Sequence, residues 1–318
     1  MDPKTMHPAT QNSTPADQPD TTTAFFRLEH LAVLDISGSD ALTFLQGQGT
    51  QEYLKQLPQQ PLPGAFCTAK GRVVANVWNV LVASDPATVK LVVHRSSAEP
   101  LRQHLAKYIP FFRGSKLTDE SQTHHGVGLS GTDNHRWLTQ SLGDPELGVW
   151  RKGEHFAFVL PDGRCQLWLA DTEDDFESLM ARIEAAGIQA SSHWQRLDIL
   201  AGYPWVDASH TAEFVPQVIG LDRLHGISFD KGCYTGQEVI ARLHYKGQSK
   251  RSLQRLAWQG SASPATSALY SEKGVGGTWV NWVTDGEHRL GLAIIKQTEP
   301  PQSLYLDADR QILLNLLD

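Results

Sequence analysis

The apolar positions of this chain fall into short runs, and their spacing changes along its length. Residues 31–36 form a run of strand length. Ser37-Gly38-Ser39 then turns the chain into a short helix carrying Leu42 and Leu45, which stops at Gly47 or Gly49. After a proline-rich stretch at 58–63, residues 65–68 and 72–82 predict a hairpin around Lys70-Gly71, with 89–93 as the next strand. Ser97 is placed to cap a helix in which Leu101, Leu105 and Ile109 share one face. This order of strands and helices marks an α+β unit rather than a strict βαβ alternation. The pattern then recurs: runs at 155–160 and 166–169 flank the turn Pro161-Asp162-Gly163, and a helix follows with Phe176, Leu179 and Ile183 on one face, ending at Gly187. A second helix runs from Ser192 through Leu200 and is closed by Gly202 and Pro204. From Leu253 the runs shorten to 253–258, 278–283, 290–295, 303–306 and 312–314, separated by Gly, Ser and Pro. That spacing predicts a small antiparallel barrel or sandwich.

Composition narrows the class. A length of 318 residues fits roughly two or three domains. With 40% apolar and 20% charged residues the chain reads as soluble and globular. Its net charge of −7 excludes a general polyanion coat but leaves room for one local basic stripe. Cys67, Cys165 and Cys233 lie far apart, without the spacing of a zinc site or of a disulfide framework, and one is left over however they pair. That usage fits a reducing cytoplasm, the expected location. No apolar run is long enough to span a bilayer, and the N-terminus has the pattern of neither a secretory signal nor a transit peptide. Residues 1–24, rich in Pro, Thr, Gln and Asp, read as a disordered tail.

Most of the candidate chemistry sits between Ile227 and Arg251. Thr235-Gly236-Gln237-Glu238 has the form of a capping box opening a short helix with Val239, Ile240 and Leu243, ended by Gly247. Cys233 would then precede a helix N-terminus, where the dipole favours a thiolate, with Lys231 as a second cation and Gly232 permitting a tight turn. Two readings of the thiol stand at this point, a buried structural Cys and an activated one. Between Lys231 and Arg255 there are six Lys or Arg against one Glu, either a solvated face or an anion site to which Arg242 and Arg251 are suited. The other constellations are weaker. His124-His125 reads as a pair of exposed loop histidines, and no metal site is expected; Gly274 to Gly277 reads as a barrel turn. Trp279 and Trp282 are read as packing on opposite faces of one strand.

The octapeptide Lys231-Gly232-Cys233-Tyr234-Thr235-Gly236-Gln237-Glu238, with Phe214-Val215-Pro216-Gln217 before it and Ala241-Arg242 and Lys250-Arg251 after it, closely resembles the signature of the YgfZ family. The resemblance runs from about Leu31 to the C-terminus and includes Phe44-Leu45-Gln46-Gly47-Gln48, Ala69-Lys70-Gly71-Arg72 and Ala201-Gly202-Tyr203-Pro204. These proteins bind folate, are related to tRNA modification and help to maintain iron–sulfur proteins. They are similar in fold to the glycine-cleavage aminomethyltransferase. The resemblance therefore implies a three-domain ring with two α+β domains of ferredoxin-like type and a C-terminal antiparallel β-barrel. In this sequence it divides the chain into a folate-binding region at 25–246, built of intertwined subdomains at about 25–115 and 116–246, and a barrel at 247–318.

The resemblance also implies tetrahydrofolate as cofactor. Trp194 stands where the family carries a folate-associated Trp, and Leu31 where a second aromatic is expected, with His30 as its neighbour. Arg242, Lys250 and Arg251 would meet folate carboxylates or a partner. Asn76 occupies the position at which aminomethyltransferases carry a catalytic carboxylate, and an amide cannot serve as that base. The expected function is thus an accessory factor for iron–sulfur enzymes of tRNA modification, working through Cys233 with Lys231 lowering its pKa. The alternatives are a folate-dependent one-carbon transferase or demethylase, and a module whose basic stripe binds tRNA directly.

Overall fold

A computed structural model describes the chain apart from residues 1–22, 56, 58, 59, 248, 299–301 and 318, and apart from the side chain of residue 246. Nearly all of the expected disordered tail lies outside the described residues.

The strands build three bodies. The first sheet has the order β3 (Leu62–Cys67), β4 (Val73–Ser84), β5 (Ala87–His94), β2 (Leu31–Ser37) and β6 (Lys116–Asp119). The second runs β1 (Ala24–Arg27), β7 (His124–Ser130), β10 (Cys165–Ala170), β9 (His155–Val159) and β8 (Val149–Lys152). Every strand pairing within them is antiparallel. The two sheets exchange strands along the chain: β1 precedes the first sheet in sequence yet pairs with β7, whereas β6 closes the edge of the first sheet beside β2. The third body is a closed barrel of β11 (Arg251–Ala257), β14 (His288–Lys296), β13 (Gly274–Asp285), β12 (Ala268–Ser271), β15 (Leu304–Tyr305) and β16 (Leu313–Leu317).

The near-continuous apolar runs follow from sheets buried on both faces. Along β2, Ala32, Leu34 and Ile36 pack under α1 (Ala41–Gln48) and α2 (Arg95–Leu105), while the alternate residues Leu31 and Val33 face the second sheet. In β4, Ala75 and Val77 point to the helices and Trp78 and Val80 to the second sheet. The second sheet mirrors this arrangement. Val127, Leu129, Leu167 and Leu169 pack under α3 (Asn134–Leu142) and α4 (Phe176–Ala185), while Phe156, Phe158 and Trp168 meet the first sheet. The helix α5 (Ser191–Ala201) lies against β1 and against the barrel strands β13 and β14, and ends at Gly202 in the left-handed conformation.

Several local expectations differ. Helix α2 begins at Arg95, so Ser97 is its third residue; its hydroxyl caps nothing and donates to the Val206 carbonyl at 2.8 Å. His124 is a buried strand residue rather than an exposed loop residue, with Nε2 3.3 Å from the Glu154 carbonyl. Strand β12 was not anticipated, being four residues long between Ser- and Gly-rich turns.

Candidate functional site

Three of the stretches singled out in the sequence meet at one place. The chain leaving α1 and the segment at 226–235 run together through a series of polar contacts. Thr50 donates from Oγ1 to the Gly226 carbonyl at 2.6 Å and accepts from the Ala65 amide at 2.9 Å, and its own carbonyl accepts from the Ser228 amide at 2.8 Å. Gln51 donates from Nε2 to the Pro63 carbonyl at 2.7 Å and also to the His225 carbonyl. Further on, the Thr235 amide donates to the Gly47 carbonyl at 3.1 Å. From below, the turn at Gly71 presses on the start of α6 (Gln237–Lys246). A Cβ on Gly236 would stand 2.6 Å from the Thr68 carbonyl, and one on Gly71 would stand 2.9 Å from Cβ of Val239.

Lys231 is the fastening of this junction. Its Nζ donates to the carbonyls of Gly49 at 2.7 Å and Gln51 at 2.5 Å, and lies 5.3 and 4.8 Å from the ring centroids of Tyr53 and Tyr234. Burial brings its pKa down from 10.5 to about 7, opposed by the negative charge of Glu52. Near that pH the amine exchanges between an ammonium facing two aromatic rings and a neutral amine whose two N–H groups match the two carbonyls. Cys233, two residues on, is exposed, whereas Cys67 and Cys165 are buried. Burial pushes both of those thiols up, Cys165 to about 12. Gly232 next to Cys233 is exposed with open space around it, and Tyr234 is buried again. The thiol therefore stands in solvent between two buried anchors. The expectation that Lys231 acts on the thiol by charge meets a different geometry, because its amine is turned inward onto carbonyls.

The capping box is not formed. Gly236, at φ +87°, is the N-cap of α6, and the Thr235 hydroxyl donates instead to Oε1 of Gln48 at 3.2 Å. The carbonyl of the Gln237 side chain accepts from the Tyr234 amide at 3.4 Å, while Glu238 is exposed in the first turn. The physical reason is competition: a long-range partner takes Thr235, and only glycine fits the left-handed residue pressed on Thr68. Arg242, Lys250 and Arg251 are all exposed, on α6 and at the start of β11.

Trp194 and Leu31 lie elsewhere, in the core shared by the two sheets. Both are fully buried. Gly128 lets β7 approach the Trp194 ring, since a Cβ there would stand 2.2 Å from Cε3, and the Arg164 guanidinium lies 4.4 Å above the ring centroid. Arg164 also pairs with Asp162 at 2.7 Å and with the buried Asp198 at 2.9 Å, and Asp198 accepts from Trp205 Nε1 at 2.9 Å. Burial raises Asp198 to about 6, with Arg164 opposing the rise. Three buried donors close to this pair or its neighbours have no hydrogen-bond partner: Trp194 Nε1, Gln166 Nε2 and Arg164 Nη2. This polar cluster was missed in the sequence. Its available signal was Asp198, a carboxylate four residues after Trp194 on the apolar face of one helix. His30 ties Nδ1 to the Ser191 hydroxyl at 2.8 Å, and burial, with His94 and Arg95 adding to it, lowers its pKa to about 3. Asn76 is committed at both ends of its amide: it donates to the Pro204 carbonyl and accepts from the Val206 amide, each at 2.8 Å.

Two intertwined antiparallel sheets followed by a closed barrel place this chain in the aminomethyltransferase-like fold class. The aminomethyltransferase of the glycine cleavage system from Bartonella henselae superposes with a TM-score of 0.69 at 12% identity, covering 93% of this chain and 84% of that one. No protein-family profile matches the chain. Its sequence relatives include proteins named tRNA-modifying protein YgfZ from Yersinia pestis (strain Pestoides F), 34% identical over 244 residues, and from Shigella dysenteriae serotype 1, 32% identical over 240 residues. These alignments cover 75% and 74% of this chain and 72% of each relative. The chain belongs to the YgfZ family.

Proposed function

We propose that this protein is a cytoplasmic, folate-binding accessory factor that sustains iron–sulfur enzymes of tRNA modification, methylthiolation in particular, through the thiol of Cys233. The observation that carries the reading is the display of that thiol. Of three cysteines it is the exposed one, between Lys231 and Tyr234, which are buried, with Lys231 fastened to the chain that leaves α1. A thiol held in this way can meet a partner protein without rearrangement of the core, and the relatives named for tRNA modification supply the setting. Arg242, Lys250 and Arg251 offer exposed cations to the same partner or to tRNA phosphates.

The residues around Trp194 suit a pterin. The unpartnered donors of Trp194, Gln166 and Arg164 match ring acceptors, the Asp198 carboxylate matches amino and ring N–H donors, and the Trp194 ring gives a stacking face where the Arg164 guanidinium now lies. Tetrahydrofolate, when bound, supplies a carrier of one-carbon units. The doubly committed amide of Asn76 speaks against this chain itself transferring such units as an aminomethyltransferase does, because no base stands at that position.

The test is complementation of a strain lacking the gene, read as methylthiolation of tRNA. The wild-type chain is expected to restore the modification and Cys233→Ala to fail at equal protein level. Full restoration by Cys233→Ala would overturn the role given to the thiol.

A further inference from the structure

A cavity of about 470 Å³ lies where the end of α5 (Ala201, Gly202), the turn at 220–224 and the barrel strands β11, β14 and β16 come together. Leucines form part of its walls and Gln254, glycines and main-chain groups another part, and among the described residues lining it the charged ones are Arg223 and Arg255. Each guanidinium is steadied by one main-chain carbonyl. Arg223 donates from Nη2 to Leu253 at 3.1 Å, and Arg255 donates from Nη1 to Leu200 at 2.7 Å. Gly220, at φ +79°, makes room for the first of them, since a Cβ there would stand 3.0 Å from Arg223 Nη2. Among the described residues neither arginine is paired with a carboxylate. A guanidinium has five N–H donors, so most of each fork is left for something else.

Two steadied guanidiniums in a cavity walled partly by leucine and holding no other charge among the described lining residues suit a ligand with an apolar or aromatic body that ends in carboxylates. The position of the cavity says where that body extends. Helix α5 carries Trp194 near its start and reaches the cavity at Ala201, seven residues and roughly 10 Å further along. Tyr203, just past the helix, lies 5.9 Å from the same Arg164 guanidinium that covers Trp194, and its ring meets Trp78 edge-on at 5.7 Å. Tyr203 thus continues the aromatic surface around Trp194 past the end of α5, directly after Gly202 of the cavity wall.

We infer that Arg223 and Arg255 bind the glutamyl carboxylates of a folate whose pterin lies at Trp194; this rests on the folate reading above. It moves the tail-binding role from Arg242, Lys250 and Arg251 to two arginines that the family signature does not contain.

The experiment is a calorimetric titration of the full chain with tetrahydrofolate and with tetrahydropteroate, which lacks the glutamyl group. Wild type is expected to bind tetrahydrofolate at least about tenfold more tightly, a difference of about 1.4 kcal/mol. The double variant Arg223→Ala/Arg255→Ala should lose that preference while keeping the tetrahydropteroate affinity, which also reports that the variant is folded. The single variants Arg223→Gln and Arg255→Gln keep a donor for the anchoring carbonyl and should each lose part of the preference. If wild type binds neither compound, the folate reading falls and this inference with it. If both bind but the preference is absent, or survives in the double variant, or the variants weaken both ligands by one factor, the tail site alone is overturned.

Discussion

Lys231 has partners that its place in the sequence does not suggest. Its neighbourhood in the sequence suggests a cation for the Cys233 thiol, yet its partners are the carbonyls of Gly49 and Gln51, more than 170 residues away along the chain. Lys231→Met would leave two buried carbonyls without donors, and at roughly 1–3 kcal/mol each it should cost the fold about 2–6 kcal/mol in urea unfolding. The sign of the pH effect follows from the shift. Between about 7 and 10.5 the unfolded chain holds a proton on this lysine that the folded chain has released, so the Lys231 contribution to stability rises with pH over that window. Unfolding of wild type and Lys231→Met, compared at about pH 7 and pH 9, should therefore favour wild type more at the higher pH; a constant difference would refute the shift. At Asp198 the direction of argument is reversed. Asp198→Ala would leave the buried Arg164 without its inner partner, and because Asp162 remains the loss should sit near the low end of the roughly 3–5 kcal/mol typical of broken buried pairs.

At the level of elements, β2 to β5, β9, β10 and the helices α1, α4 and α5 were legible, because apolar runs of strand length and the 3.6-residue period reflect the faces that they bury; β1, β6, β7, β8 and α3 were not. Nor was the start of α6. Its capping residues are set by contacts with Gln48 and Thr68, which local pattern does not carry. The Arg164–Asp198 cluster was hidden for the same reason, since its members sit on different elements and only Asp198 breaks the apolar face of its helix. Two glycines carry this long-range information. Gly236→Ala would force a side chain into the left-handed region and against a carbonyl, costing about 1–2 kcal/mol for the backbone alone. Gly128→Ala would drive a methyl into the Trp194 ring and should lower stability by roughly 1–3 kcal/mol, read as a shift in thermal midpoint. On the folate reading it should also weaken pterin binding, because the ring must move.

For the whole molecule, three cysteines in three environments give a direct check on the assembled fold. The native protein is expected to consume one equivalent of an aromatic disulfide reagent, at Cys233, and three after guanidinium unfolding, the modified residue being identified by peptide mass. Reaction of Cys67 or Cys165 at a comparable rate would mean that the first or second sheet opens readily. The same experiment during refolding bears on the junction between the chain after α1 and the segment at 226–235. Its clasp joins residues 182 apart, a loop whose closure must await the folding of both sheets. A ribosome-bound or truncated chain ending before this segment cannot form the clasp. On the function proposed above, a client that requires the thiol in this setting would engage only molecules in which the two ends of the clasp have met.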